Sequence, residues 1–274
     1  MATRAPNPPA DPAQAAQSGE HLADLCEHLE GLSVTHADDF RATSLAQRLL
    51  RHSRGGRVLD AGCGTGLLSL ELLKAGCDVV AVDHEESMVK ITTDTFGKGG
   101  FLGVSASKLS LQNLDNLGAK EFDEIYCCDV VEHVQDDLSA MRQLRSLLRP
   151  NGQLILTVPA WPFLFGERDE RMGHYRRYSR RALLELCRSA GFRVASVRWW
   201  NLSGFLLNAI GMRLLSIRFS EKFRYASAGS GPRLRNAILK GWFQWVENRV
   251  RMPLGLTLIV VADRDSAPPA QGKA

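Results

Sequence analysis

The stretch that decides the fold of this chain is Val58-Leu59-Asp60-Ala61-Gly62-Cys63-Gly64-Thr65-Gly66. An apolar strand ends on an acidic residue and breaks into a glycine-rich turn, and a helix begins near Leu67. Each glycine lets the backbone approach another backbone or a ligand where a Cβ atom would clash. The N–H groups that open the helix lack partners inside it and face whatever the turn holds. The sequence therefore predicts a ligand-binding strand–turn–helix unit.

The spacing of the glycines separates two classes of ligand. Dinucleotide-binding folds use the pattern G-x-G-x-x-G, whose third glycine allows tight packing of helix on strand. Here Leu67 occupies the position of that glycine. Asp60 also disfavours a dinucleotide, because its carboxylate would repel a pyrophosphate but would attract a cofactor with a cationic amino group. The turn therefore favours the second kind of cofactor.

Strands and helices alternate along most of the chain. The predicted strands are 58–60, 78–83, 101–104, 122–129, 153–158, 192–199 and 256–262. The predicted helices are 67–75, 87–95, 137–148 and 179–190, and residues 20–52 also carry helical spacing. Such β-α repeats predict an α/β fold with a doubly wound, mostly parallel seven-stranded sheet, an N-terminal helical segment and a helical insertion at about 201–253. Ligands of such sheets bind beyond the carboxyl ends of the strands.

Composition limits the class of protein. The 274 residues carry a formal charge of only +4, which gives no indication of nucleic-acid binding. Six cysteines lie scattered without a C-x-x-C pair and are typical of a reducing compartment, so we expect a cytoplasmic protein. No apolar segment of a signal peptide follows the first residues. We expect disordered tails at 1–18 and 266–274 around a single domain at 19–265.

Three motifs resemble those of a known family. LDAGCGTG at 59–66, VVAVD at 79–83 and CCDVVEHVQD at 127–136 resemble class I S-adenosylmethionine-dependent methyltransferases, in particular the ubiquinone-biosynthesis O-methyltransferase-like group. The resemblance covers roughly residues 40–160. It implies a Rossmann-like methyltransferase fold and S-adenosylmethionine as the cofactor.

The predicted cofactor site follows from the turn and the resemblance together. Asp83 ends the second strand, where a carboxylate can accept hydrogen bonds from both ribose hydroxyls; the alternative is a solvated loop carboxylate. Ser105 stands at the adenine position, where relatives often have an acidic residue. The resemblance implies that Arg41 binds the cofactor's carboxylate. The predicted cofactor-binding residues are Arg41, Asp60, Gly62, Cys63, Gly64, Asp83, His84, Ser105, Cys128 and Asp129.

Asp129, Glu132 and His133 have the spacing i, i+3, i+4, which places them on one face of a helical turn. In the resembled family, the matching positions can hold a divalent cation near the substrate oxygen, and an oxygen-rich set suits magnesium. Alternatively, His133 is a general base, because imidazole titrates near neutral pH. In the third interpretation, Glu132 and His133 only stabilise the start of the next region.

The segment His174-Tyr175-Arg176-Arg177-Tyr178-Ser179 follows the fifth strand, where the acceptor is expected to enter. His174 is a second candidate catalytic residue. Tyr175, Arg176 and Tyr178 are candidate substrate-binding residues, because arginines there could grip a carboxylate or phosphate. The alternative is a solvated loop in which Ser179 caps a helix and the arginines pair with nearby carboxylates at 167, 169 or 170.

The insertion concentrates positive charge. Residues 202–219 are apolar but interrupted by charges, and residues 213–251 hold nine Lys/Arg against two Asp/Glu, a local charge of +7. One interpretation is peripheral contact of residues 204–250 with the inner face of an anionic membrane or with a lipid-linked substrate. A second is a lid whose basic face attracts an anionic substrate. A third is a helical hairpin with a solvated face, or a dimer contact.

The function predicted from the residues and the resemblance is S-adenosylmethionine-dependent methylation of oxygen on a small or lipid-like acceptor. Two alternatives remain open. One is N-methylation of a natural product or other small molecule, which needs weaker assistance from a base. The other is a cofactor-binding regulatory subunit without activity.

Overall fold

The computed structural model describes residues 40–117, 121–210 and 237–265. Contacts divide the chain into two units, 1–36 and 37–274, and every described residue belongs to the second. A single domain over 19–265 stays a prediction. Four regions discussed above lie outside the described residues: the tails at 1–18 and 266–274, residues 20–39 of the helical segment, and residues 211–236 of the insertion.

Seven strands form one sheet. They are β1 (Arg57–Ala61), β2 (Asp78–Asp83), β3 (Ala106–Lys108), β4 (Phe122–Cys128), β5 (Leu148–Pro159), β6 (Phe192–Trp200) and β7 (Thr257–Arg264). Their order is β3-β2-β1-β4-β5-β7-β6. β7 runs antiparallel to both neighbours, and the other pairings are parallel. The predicted mostly parallel seven-stranded sheet is confirmed.

Helices cover both faces of this sheet. They are α1 (Phe40–Leu50), α2 (Leu67–Lys74), α3 (Glu86–Lys98), α4 (Asp137–Leu147), α5 (Glu167–Arg171), α6 (Arg180–Ser189) and α7 (Leu202–Ile210). One buried cluster joins the sheet to α4 and α6, and a second joins it to α1, α2 and α3. The predicted cap of α6 is present, because Ser179 Oγ accepts the Ala182 N–H at 3.1 Å. The central strands are buried on both faces and therefore read as apolar, β-branched runs.

The third strand lies later than predicted. Residues 101–104 form no strand; β3 at Ala106–Lys108 pairs with the end of β2 instead. Gly100 and Gly103 have φ values of +87° and +88°, which are turn conformations that interrupt an extended strand. Phe101 closes the end of α3 by donating its N–H to Phe96. The apolar residues at 101 and 104 thus pack beside the core without joining the sheet.

The fifth strand begins earlier than the predicted 153–158 and contains an irregularity at residues 150–152. Leu148 already pairs with Phe122 of β4, and the register then shifts before Gln153 pairs with Glu124. Asn151 takes a φ of +64° between these pairs. The chain around Asn151 is therefore an irregularity inside β5, and the ladder resumes after it.

The carboxyl ends of β1, β2, β4 and β5 lie along one edge of the sheet, because these strands are parallel. Three non-glycine residues just beyond strand ends at this edge have positive φ: Asp129 (54°), Trp161 (67°) and Asn201 (67°). Such conformations cost free energy and persist only where surrounding structure holds them. They point to this edge as the functional one.

The helical insertion is described only in part. α7 covers the first half of the apolar stretch at 202–219, residues 237–242 are helical, and Phe243–Glu247 form a π-helical turn. Glu247 anchors α7, because its carboxylate accepts the N–H groups of Asn201, Leu202 and Ser203. Nowhere in the described ranges does a helix combine the length and apolarity that crossing a bilayer requires.

Candidate functional site

The three glycines of the turn differ in what a side chain at each position would contact. A Cβ atom on Gly62 would lie 2.3 Å from Val130 Cγ2, and one on Gly66 would lie 2.8 Å from Thr92 Cγ2. A Cβ atom on Gly64 would meet no described atom within 4 Å, although φ there is +53°. Gly62 and Gly66 are thus required by packing, while Gly64 borders open space. This open space is where a ligand can approach the turn.

The backbone of the turn is tied to β2. Gly62 and Cys63 both donate their N–H groups to the carbonyl of Val82, at 2.8 and 2.9 Å. The Cys63 thiol lies 3.5 Å from Thr92 Oγ1, and burial raises its pKa well above the usual value. The backbone N–H groups of Gly62 and Cys63, two predicted cofactor-binding residues, are thus engaged in fixing the turn to β2.

Asp83 links the turn to the end of β2. Its carboxylate accepts the N–H of Gly64 at 2.9 Å and that of Glu85 at 3.0 Å, and His84 Nδ1 lies 3.3 Å away. Burial alone would raise the pKa of Asp83, but these hydrogen bonds outweigh it and lower the pKa. Asp83 is therefore an ionised acceptor beside the open face of Gly64. A carboxylate has about four acceptor positions, so capacity remains for ligand hydroxyls.

Asp60 lies beneath the turn. It is 1% exposed, and its Oδ2 accepts the hydroxyl proton of Ser69 in the first turn of α2 at 2.6 Å. Burial raises its pKa to about 6, although the Ser69 hydrogen bond opposes the shift. The structure therefore gives Asp60 a role in joining β1 to α2. Ser105, at the predicted adenine position, is exposed immediately before β3.

α1 brings Arg41 to the carboxyl edge. Its guanidinium lies 3.9 Å from Asp129 Oδ2 and 5.5 Å from the centre of the Trp200 ring. Asp129 follows β4 with its Oδ1 held by the hydroxyl of Thr157 at 3.0 Å. Cys128, half-buried, ends β4 beside it. Three of the predicted cofactor-binding residues, Arg41, Cys128 and Asp129, thus share one part of the edge.

The helical face predicted for Asp129, Glu132 and His133 does not form. Asp129 has a positive φ, and only residues 131–133 form a short 3₁₀ turn. Glu132 and His133 instead meet His174, with candidate ligand atoms all within 4.8 Å of one another. Two imidazoles and one carboxylate fit magnesium poorly, since magnesium prefers oxygen ligands. The predicted magnesium site is thus not supported, and magnesium has no part in the function proposed below.

The charges in this second cluster are unusual. Glu132 is fully buried, and neither carboxyl oxygen has a hydrogen-bond partner among the described residues. Burial, reinforced by Asp129, raises its pKa well above the usual range and so favours the neutral acid form of Glu132. Burial and the neighbouring His174 lower the pKa of His133 to about 4. His133 is consequently neutral, and its ring meets that of His174 edge-on at 4.5 Å.

Asp169 orients His174. Its Oδ1 lies 3.0 Å from His174 Nδ1 and also accepts from Arg177 Nε at 2.8 Å. Burial would raise the pKa of Asp169, but the hydrogen bonds from His174 and Arg177 lower it. An ionised carboxylate on Nδ1 favours the tautomer in which Nε2 carries a free lone pair. Sequence reasoning named Asp169 only as a partner for an arginine, because nothing local to the motif ties it to the histidine.

The other members of the 174–179 segment face different surroundings. Tyr178 is buried and donates its hydroxyl proton to Asp137 at 2.9 Å, and Arg176 Nη1 pairs with the same carboxylate at 2.9 Å. Arg177 pairs with Asp169, which is one of the pairings in the alternative interpretation. Tyr175 is 56% exposed. Of the three candidate substrate-binding residues, Tyr175 is thus the one with most of its side chain open to solvent.

An aromatic stack at the ends of β5 and β6 was not singled out from the sequence. Trp161 lies parallel to Trp199 with ring centres 4.7 Å apart, and Phe205 of α7 lies 5.3 Å from Trp161. The indole N–H of Trp161 donates to the carbonyl of Gly255 at 2.8 Å. The signal available in the sequence was the placement of tryptophans directly at two strand ends.

The turn after β1, the ionised Asp83 at the end of β2 and the open space beside Gly64 lie together at the carboxyl edge of an open α/β sheet, where such sheets bind their ligands. Residues 34–197, more than half of the chain, match the sequence profile described as a methyltransferase domain. The chain therefore belongs to the methyltransferase domain family.

Known proteins resemble the chain in sequence and in fold. The ubiquinone biosynthesis O-methyltransferase of Xanthomonas axonopodis pv. citri (strain 306) is 37% identical over 104 residues, which are 38% of this chain and 43% of the relative. The chain thus aligns with less than half the length of such curated relatives. The resemblance predicted from the three motifs is confirmed.

Two solved structures share the fold. The 1,6-didemethyltoxoflavin-N1-methyltransferase of Burkholderia thailandensis, with its acceptor and S-adenosylhomocysteine bound, has a TM-score of 0.56 at 20% identity and 95% and 93% coverage of the two chains. The [4+2]-cyclase SpnF has a TM-score of 0.52 at 20% identity and 83% and 82% coverage. At such identities the likeness shows the fold alone.

Proposed function

We propose that this protein uses S-adenosylmethionine to methylate an oxygen atom of a small or lipid-like acceptor. The observation that carries the cofactor assignment is the geometry of Asp83, ionised and held beside the open face of Gly64. Two adjacent ribose hydroxyls suit this carboxylate, which donates nothing and accepts at two oxygens. A Cβ atom at residue 64 would project into the space that the ligand uses.

The other cofactor contacts follow the carboxyl edge. Arg41 would hold the carboxylate of the methionine end, and Asp129, 3.9 Å from Arg41, lies where it can attract the amino group. When bound, the cofactor supplies a methyl group that is already activated by the sulfonium. The protein must therefore mainly orient the acceptor and exclude water.

Oxygen is favoured as the acceptor atom because a base is present. A hydroxyl must lose a proton when it is methylated, whereas a neutral amine already offers a lone pair. His174, oriented by Asp169, receives that proton at Nε2. His133 is a poorer acceptor of protons, because its pKa of about 4 lies far below neutral pH. In this assignment His174 is the general base and Asp169 is a positioning residue.

Peripheral membrane contact is the second part of the proposal. The described part of the insertion at 237–250 exposes large apolar side chains on a basic segment, namely Ile238, Trp242, Trp245 and Val250. Arg249 stacks on Trp245 with its guanidinium carbon 4.2 Å from the ring centre. Exposed tryptophan beside arginine suits the interface of an anionic membrane. Co-sedimentation of the full chain with phosphatidylglycerol vesicles supports this contact; absence of co-sedimentation contradicts it.

Calorimetry on the full-length chain tests the cofactor assignment. We expect S-adenosylhomocysteine to bind and NAD not to bind. Asp83→Asn should weaken the binding about ten- to hundredfold, because it removes a charged acceptor from two hydrogen bonds. Asp94→Asn, on the exposed face of α3, is the matched control and should leave the affinity unchanged. Binding of NAD in place of S-adenosylhomocysteine would overturn the proposal.

Mass spectrometry of metabolites and lipids identifies the acceptor. Cells with and without the gene are compared for pairs of compounds that differ by one methylene. Re-expression of the wild-type chain should restore the heavier member, and the Asp83→Asn variant should not. If both restore the phenotype of the cells equally and no pair is found, the inactive cofactor-binding subunit is the better description.

A further inference from the structure

A cleft of about 280 Å³ lies along the outer edge of β6, and three arginines line it: Arg180, Arg198 and Arg251. β6 forms the end of the sheet, with β7 on one side only. The other wall is formed by the segment around Met252, which pairs with Trp199 in an isolated antiparallel bridge. We call this feature the arginine groove.

No described carboxylate pairs with the arginines of the groove. Within residues 40–117, 121–210 and 237–265, none of the three guanidinium groups makes an ion pair or a side-chain hydrogen bond. The contrast with the neighbouring motif is clear, since Arg176 pairs with Asp137 and Arg177 pairs with Asp169.

The surroundings of the groove add further positive charge. Arg198 lies close enough to Arg48 and His52 of the α1 region to lower the pKa of both, after burial as the larger cause. Arg51 contributes to the same two shifts. Arg48 and Arg51 both donate to the carbonyl of Asn248, which carries no net charge. The positive charges of Arg48, Arg51 and Arg198 therefore repel one another, and a bound anion would reduce that repulsion.

The chemistry of the groove selects the kind of anion. Guanidinium groups present planar pairs of donors that match the oxygens of phosphate and carboxylate. Three of them around one cleft suit a dianion better than a single carboxylate. The volume is slightly below the range for pockets that enclose a whole drug-sized ligand, which begins at about 300 Å³. The groove therefore fits the charged end of a ligand whose remainder lies elsewhere.

The aromatic stack connects the groove to the acceptor side of the site. Trp199 lines the groove and lies against Trp161, which follows β5. The backbone N–H of Trp161 donates to the carbonyl of Tyr178, and Ala160 forms an isolated β-bridge with Tyr178. The groove is thus linked to the 174–179 segment through Trp199, Trp161 and the backbone of Tyr178. An apolar or aromatic middle part of a ligand could rest on the two tryptophans between them.

We propose that the arginine groove binds the phosphoryl group of the methyl acceptor. That the bound phosphoryl group belongs to the methyl acceptor rests on the methyl transfer proposed above. That the groove binds a phosphoryl group does not depend on it. Phosphoryl groups of two sources have this chemistry, a soluble phosphate ester and the headgroup of an anionic lipid.

Calorimetric titration of the full-length chain with inorganic pyrophosphate tests the binding. We expect saturable binding that weakens about ten- to hundredfold in Arg198→Gln and in Arg251→Gln, because each loses charged hydrogen bonds. Arg181→Gln is the matched control: it is exposed on α6 next to Arg180, does not line the groove and should leave the affinity unchanged. Absence of saturable binding by the wild-type chain, or equal binding by all variants, overturns the proposal.

Vesicles separate the two sources. Co-sedimentation with phosphatidylglycerol vesicles that is lost in Arg198→Gln and competed by pyrophosphate supports a lipid headgroup. Pyrophosphate binding with no such loss supports a soluble ester. Binding of S-adenosylhomocysteine is measured on the same samples. If the wild-type chain binds pyrophosphate but not S-adenosylhomocysteine, the proposed methyl transfer is contradicted and the anion site in the groove is supported. If it binds S-adenosylhomocysteine but not pyrophosphate, the anion site is contradicted and the proposed methyl transfer is not.

Discussion

On the β1–β2 side of the carboxyl edge, the polar groups bond to one another; on the β4–β6 side, several do not. The glycine turn, Asp60 and Asp83 each have hydrogen bonds to neighbouring groups of the protein. Across the edge, both oxygens of Glu132 lack described partners, and the arginine groove lacks described carboxylates. We call these the satisfied and the unsatisfied side. Groups whose hydrogen bonds are already made are held in one arrangement, whereas buried or charged groups without described partners indicate where a ligand can supply them.

The largest expected effect lies on the unsatisfied side. His174→Gln should lower the rate of methyl transfer about 10²- to 10⁴-fold, because it removes the general base. The affinity for S-adenosylhomocysteine should not change. Asp169→Asn should lower the rate and also shift its pH profile, which a purely structural role would not do. The assay is methyl transfer to the acceptor found by mass spectrometry. If His133→Gln is the more damaging variant, the two histidines have the opposite roles.

The second effect lies on the satisfied side. Gly62→Ala should destabilise the fold by about 2 to 5 kcal/mol, because the new Cβ strains a φ of +90° and collides with Val130. Urea unfolding measures the change. Gly97→Ala, inside α3 with no atom within 4 Å of the new Cβ, should instead stabilise by up to about 1 kcal/mol. Equal effects of the two substitutions would contradict the packing argument for the turn.

The third prediction concerns the contribution of Glu132 to the pH dependence of the unfolding free energy. Its folded-state pKa is raised, so the folded state keeps a proton that the unfolded state releases above about pH 4.3. The resulting stability is lost as the pH rises toward the folded pKa. Asp60, with a folded-state pKa of about 6, and His133, whose pKa drops from about 6.5 in the unfolded state to about 4, also titrate in this range, but they do so in the wild type and in Glu132→Gln alike. As the pH rises above about 5, the unfolding free energy of the wild type should therefore fall relative to that of Glu132→Gln by up to about 1.4 kcal/mol per pH unit.

Two variants give the controls for this measurement. Glu132→Gln keeps the shape of the neutral acid and should lack the contribution of Glu132 to the pH dependence. Glu185→Gln, exposed on α6, should retain the wild-type slope. The outcome that contradicts the assignment is a difference in unfolding free energy between the wild type and Glu132→Gln that stays flat or grows with pH.

The same division explains what the sequence could predict. The turn at 58–66 and Asp83 are contiguous with the strands that place them, so their positions follow from local pattern. The expected face of Asp129, Glu132 and His133 was wrong, because Asp129 takes a left-handed conformation that spacing cannot reveal. His174 meets Glu132, and Arg198 and Arg251 come to line one cleft, only through the packing of distant elements. Long-range packing therefore sets the acceptor side, and local pattern sets the cofactor side.

The smallest expected effect separates two kinds of arginine on the acceptor side. Arg176 forms a partly exposed ion pair with Asp137, with side chains 31% and 18% exposed. Arg176→Gln should therefore cost only about 0.2 to 1 kcal/mol of unfolding free energy, as such pairs usually do. Because its charge is already neutralised inside the protein, pyrophosphate affinity should stay at the wild-type value. Urea unfolding and calorimetry on the same sample measure both quantities. A loss of pyrophosphate affinity as large as that of Arg198→Gln would move the anion site from the edge of β6 to the 174–179 segment, and the contrast between paired and unpaired arginines would no longer hold.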